Sequence, residues 1–107
     1  MPRYGAHGFL WTDVWTTEKG NRAISAAAEA DFDFIEIPLL RPDEFDARSH
    51  KKRLSSERLE ATTSLALPEW AHMPEEPKRA KEFLFSALNR VQALGCTYLC
   101  GCLAYSL

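Results

Sequence analysis

The chain has 107 residues and is 46% hydrophobic, 11% aromatic and 26% charged, a composition that builds one small core and excludes intrinsic disorder. Thirteen Lys and Arg against fifteen Asp and Glu leave a formal charge of −2, which removes any strong electrostatic case for nucleic acid. No apolar run in the sequence approaches the roughly 20 residues of a membrane helix.

Arg3 to Leu10 (RYGAHGFL) is short, mostly apolar and punctuated by glycine, as suits a buried strand. Thr16 and Thr17 offer N-cap hydroxyls to a helix over Glu18 to Ala30, with Ile24, Ala27 and Ala28 on one face. Phe32 to Leu39 (FDFIEIPL) is a β-prone run stopped by Pro38, the second strand. Asp46 can cap a third segment, the helix Ala47 to Leu59, whose apolar stripe is only Ala47, Leu54 and Leu59. Within it His50-Lys51-Lys52-Arg53 reads as a solvated helix face. Glu60 to Leu67 (EATTSLAL) is the third strand, ended by Pro68, and 68–77 form a proline-rich loop. Lys78 to Leu94 carries Phe83, Leu84, Ala87, Leu88, Val91 and Leu94 at helical spacing, and Gly95 closes it. Thr97 to Leu103 (TYLCGCL) is the fourth strand.

The order β-α-β-α-β-α-β belongs to an α/β fold with a parallel sheet and right-handed crossovers, its strands apolar on both faces. The last strand lacks a helix of its own. No internal repeat or linker divides the chain. The N-terminus, MPRYGAHGFLW, has no signal-peptide core or cleavage site. Cys96, Cys100 and Cys102 are three clustered cysteines that outline no disulfide framework. A soluble, cytoplasmic, reduced protein is the expectation. Cys100 and Cys102 share one face of a strand, so metal ligation is not expected, and the thiols read as buried small residues.

The ordered set GFLWTDVW, FDFIEIPL, LEATTSLAL and ALGCTYLCGCL resembles the sugar epimerases related to D-tagatose 3-epimerase and D-psicose 3-epimerase, within the xylose-isomerase-like superfamily. The resemblance runs through the whole chain in order. It implies an eight-stranded TIM barrel, typically about 250 residues, of which residues 1–107 would be the N-terminal half, strands one to four, with the C-terminal half absent. It further implies a divalent metal (manganese, magnesium or cobalt), held by two Glu, one Asp and one His on strands five to eight. Those two Glu would move the proton at C3 of a ketose through an enediolate. On this reading the chain is a fragment of a metal-dependent sugar isomerase or epimerase, holds pocket walls, binds no metal itself and is inactive alone.

Five residues are candidates for the sugar-facing wall. Glu36 is the one carboxylate inside an apolar strand, and burying it unpaired would be costly. It is either bonded to backbone or an Arg, or touches the substrate at the barrel mouth. The resemblance places His7 where the family carries Phe or Tyr, so it either hydrogen-bonds a sugar hydroxyl or is a structural histidine. It places Trp15 in the loop beyond strand one, against sugar C–H groups. Ala66 aligns with a small pocket residue and leaves room; Cys102 aligns with a contact to the sugar's far end, beside Gly101. Leu107 falls near a family Trp, while Trp11 and Trp70 read as packing. An apurinic-site endonuclease of the same superfamily would need basic DNA-facing loops that this sequence lacks. A free-standing half-barrel, acting as a binding or assembly module, would expose strands one and four as open edges and leave a homo-oligomer open.

Overall fold

The protein is described by a computed structural model covering residues 2–102. The expectations for Leu103 and Leu107 lie outside the described residues. Four strands, β1 (Gly5–His7), β2 (Phe34–Pro38), β3 (Glu60–Ala66) and β4 (Leu99–Cys102), pair in parallel and in sequence order β1-β2-β3-β4. Three helices connect them: α1 (Thr17–Glu29), α2 (Ala47–Glu57) and α3 (Pro77–Leu94). Among the described residues no helix is long and apolar enough to cross a membrane.

Caps set the helix limits. The Thr16 hydroxyl accepts the N–H of Lys19 and the Asp46 carboxylate accepts that of Ser49, each satisfying a donor of the first helical turn. Gly95 ends α3 at φ +82°, a conformation that costs glycine nothing. The first strand is shorter than its sequence suggests because Gly8–Leu10 coil into a 3-10 turn, capped by the His7 ring. The short apolar stripe of α2 gains an unexpected member. His50 is fully buried beside Ala47 and Leu54, whereas the basic run around it reads as solvated.

One face of the sheet and the inner faces of the helices make the core. Ile35, Ile37 and Leu39 from β2 and just beyond it meet Thr63, Leu65 and Leu67 from β3 and just beyond it. Ala23, Ile24 and Ala27 of α1, and Ala80, Ala87, Val91 and Leu94 of α3, close over them. Thr63 is tolerated at 0% exposure because its hydroxyl donates to the Tyr98 carbonyl at 2.6 Å. Leu88 of α3 is exposed, so the buried stripe runs through Ala80 instead. Trp11 packs edge-on against Phe32, and Trp70, half exposed, packs edge-on against Phe83.

The second sheet face is different. Strand alternation places His7, Phe34, Glu36, Thr62, Ser64, Ala66, Cys100 and Cys102 there, and apart from the Phe34 ring it carries small or polar side chains. The strands are therefore apolar on one face only, against the sequence expectation of two. This open face is where chemistry has room.

Ile35 tests the packed face. Ile35→Ala removes a fully buried side chain and is expected to lower the unfolding free energy by about 2–5 kcal/mol. A urea midpoint that falls with an unchanged m-value would show it.

Candidate functional site

Parallel register stacks the open face in layers. His7 stands beside Glu36, and Glu36 beside Thr62. Ser64 and Cys100 form the next layer, and Ala66 and Cys102 the one nearest the C-terminal ends. Phe34 lies at the opposite end, its ring over Gly5 so closely that a Cβ there would sit 2.2 Å from it.

The His7 ring is oriented from both sides. Its Nδ1 accepts the Phe9 N–H at 3.1 Å. A neutral imidazole that accepts through Nδ1 carries its proton on Nε2. That Nε2 lies 3.3 Å from Ser64 Oγ and 3.4 Å from Glu36 Oε2. Glu36 thus meets a histidine, rather than an Arg or the backbone. Both side chains remain about one-third exposed, so their pairing is screened and modest. Beside them the Thr62 hydroxyl oxygen is buried and has no hydrogen-bond partner among the described residues.

Ala66 and Cys102 are register partners one layer beyond Ser64 and Cys100. Cys100 and Cys102 are exposed free thiols, contrary to their reading as buried residues, because they point away from the helices. Cys96 alone is buried, its Sγ donating to the Ala61 carbonyl at 3.1 Å. Gly101 lets β4 lie against β3: a Cβ there would sit 2.5 Å from the Leu65 carbonyl oxygen.

Trp15 occupies a separate place. Its ring wedges between Gly8 and Gly20, where an added Cβ would come within 2.5 Å of the indole. The indole N–H donates to His50 Nε2 at 3.1 Å, and His50 Nδ1–H donates to Asn21 Oδ1 at 2.9 Å. Asn21 continues to the Ser49 hydroxyl at 3.0 Å, tying α1 to α2. One edge of this cluster still lines a cleft of about 420 Å³ at the C-terminal ends of β1 and β2, with Phe9, Val14, Pro38 and Phe45. The structure therefore groups His7 with Glu36 and Ala66 with Cys102 on one face, and sets Trp15 beside that face in the loop.

Ser64, Thr62 and His50 escaped the sequence reading. The signal for the first two was available: in EATTSLAL the residues alternating with Thr63 and Leu65 are polar. His50 gave no such signal, since only its partners distinguish it from its basic neighbours. Among the described residues no three or more His, Cys, Asp or Glu side chains converge to hold a metal ion. The divalent ion implied by the resemblance finds no donor set among them.

No protein-family model matches the chain. Individual proteins do. A ketose 3-epimerase of Arthrobacter globiformis is 32% identical over 103 residues, covering 92% of this chain and 36% of that protein. An L-ribulose 3-epimerase of Methylomonas sp. (strain DH-1) is 34% identical over 102 residues, with the same coverage of each. The crystal structure of a D-allulose 3-epimerase from Methylomonas sp. superposes with a TM-score of 0.85 at 33% identity, over 95% of this chain and 38% of that one. A second structure of a D-allulose 3-epimerase from Methylomonas sp., in complex with D-allulose, gives 0.84 at 32% identity. The chain is homologous to the ketose 3-epimerases over 92% of its length and spans about 36% of theirs. Its four parallel strands and intervening helices match part of an epimerase TIM barrel.

The clamp predicts a pH dependence. Burial lowers the His50 pKa to about 4, with the Asp46 charge opposing the shift. The unfolded chain takes up this proton near pH 6.5 and the folded one only near 4. Stability from the neutral ring is complete above pH 6.5 and is lost as pH falls toward 4, on the order of 2–3 kcal/mol. His50→Gln keeps an acceptor and a donor without titrating. Its urea midpoint should fall less between pH 7 and 4.5 than that of the wild type.

Proposed function

We propose that the chain forms the N-terminal wall of a ketose 3-epimerase barrel, its open sheet face turned to a ketose such as D-allulose. By itself it does not epimerise the sugar. The observation that carries this reading is the homology over 92% of the chain. The small and polar character of the open face supports it.

In this reading Glu36 hydrogen-bonds a sugar hydroxyl, His7 holds Glu36 in place beneath the sugar, and Ala66 leaves room for the carbon chain. Cys102 meets the far end of the sugar, and Trp15 offers a ring edge to its C–H groups. Epimerisation at C3 takes a proton from one face of the carbon and returns one to the other, so it needs a base and an acid on opposite sides. A divalent metal, held by residues outside this chain, would supply charge stabilisation for an oxygen that becomes negative. The middle of the open face contains one carboxylate, Glu36. Glu60 lies at the N-terminal edge, held by Arg3 at 2.5 Å. One carboxylate cannot stand on both sides of a carbon, so the chain contributes binding and shape, and the proton chemistry belongs to the rest of the barrel.

The 107-residue chain, incubated in D₂O with Mn²⁺ and D-allulose, should incorporate no deuterium at C3 by NMR. Joined to the remaining length of the Methylomonas L-ribulose 3-epimerase, it should exchange that proton. Glu36→Gln in the joined protein should raise KM by about tenfold, the loss of a hydrogen bond to a charged group. Exchange by the chain alone, or a folded and inactive joined protein, would count against the reading.

A further inference from the structure

We infer that Ser64 and Glu36 form a hydroxyl-recognition subsite on the open face, with His7 as the residue that positions them. This rests on the reading of that face as sugar-facing and adds a specificity determinant to it. The starting point is the direction of one proton. Because His7 Nδ1 accepts from the Phe9 N–H, the Nε2–H of the neutral ring points at Ser64 Oγ and Glu36 Oε2. Ser64 is thereby the acceptor in this contact, and its own hydroxyl proton is left to donate elsewhere. The described residues offer that proton no acceptor, and they give Glu36 Oε1 no donor.

The face consequently presents one donor and one acceptor side by side, both tied to the same imidazole. A sugar hydroxyl donates one hydrogen bond and accepts others, so it satisfies both groups at once. A carbonyl only accepts and would leave Glu36 unanswered. A phosphate or carboxylate would meet the Glu36 charge. The buried Thr62 hydroxyl next to Glu36, without a partner among the described residues, keeps the floor of the subsite polar. An alcohol group of a polyol or ketose is therefore the ligand that fits. Such a site discriminates against an analogue lacking the hydroxyl, because its donor and acceptor would be left unpaired.

The test follows D-allulose binding to the joined protein, with the unsubstituted joined protein as wild type, by two-dimensional NMR titration. Ser64→Ala should weaken the Kd by about tenfold while leaving the backbone spectrum close to wild type and moving His7 Nε2, which loses its Ser64 acceptor, more than Nδ1. Ser64→Thr, which keeps the hydroxyl, should restore binding to within about threefold, a rescue that a purely structural role would not predict. If Ser64→Ala binds D-allulose as tightly as the wild type, the subsite is wrong and the sugar-facing wall stands. If D-allulose moves no open-face resonance of the wild type, the wall itself is wrong and the subsite falls with it.

Discussion

Everything in this chain follows from the way four parallel strands are joined in order by three helices. Each right-handed crossover returns the chain to the same side of the sheet, so the helices accumulate on one face. Strand periodicity then decides the fate of each residue. In β2, Ile35 and Ile37 go to the helices and are fully buried, while Glu36 between them goes to the open side. In β3, Thr63 and Leu65 are buried, and Thr62 and Ser64 are not. A slip of one residue would bury the carboxylate and expose the isoleucines, which hydrophobic burial forbids by several kcal/mol. The energy that fixes the register is thus the energy that places His7, Glu36 and Ser64 together.

A second constraint governs the loop after β1. Trp15 is too large to sit over the strand end unless its neighbours give way, and two glycines do so. Gly20 lies inside α1, where glycine costs roughly 1 kcal/mol relative to alanine. That cost is offset by the indole packed against it and by the hydrogen-bonded chain from Trp15 through His50 and Asn21 to Ser49. The chain works only with a neutral ring, since a proton on His50 Nε2 would face the indole N–H. Packing and hydrogen bonding are therefore joined here. The residue that lines the cleft is also the residue that locks α1 to α2, and its ring is held rather than mobile.

Much of this was legible in the residues. Thr16, Asp46 and Gly95 mark helix ends because capping is local chemistry, and α1 and α2 begin, and α3 ends, at the residue next to these signals. The four strands follow from apolar runs between turn residues. What escaped depended on distance in space. His50 looks like its neighbours Lys51 and Lys52 until the indole of Trp15, 35 residues away, is seen against it. Cys100 and Cys102 resemble core residues by type, and only the one-sided placement of the helices explains their exposure. Among the candidate wall residues, the shared face of His7, Glu36, Ala66 and Cys102 follows from β-parity once the register is known. The Ser64 contact does not follow, because it lies across a layer and depends on the tautomer of His7.

The same geometry argues for a division of labour along a barrel wall. A single sheet face turns donors and acceptors one way: His7, Glu36 and Ser64 lie on three adjacent strands and meet at one imidazole. Groups that invert a carbon must approach it from opposite sides, which no single sheet face can do, however its residues are chosen. Adding a second carboxylate beside Glu36 would not create such a pair. Like charges that close raise one pKa at the expense of the other, and both would still attack from one direction. Binding energy can be built into a wall of four strands, whereas stereochemical inversion requires a wall opposite to it.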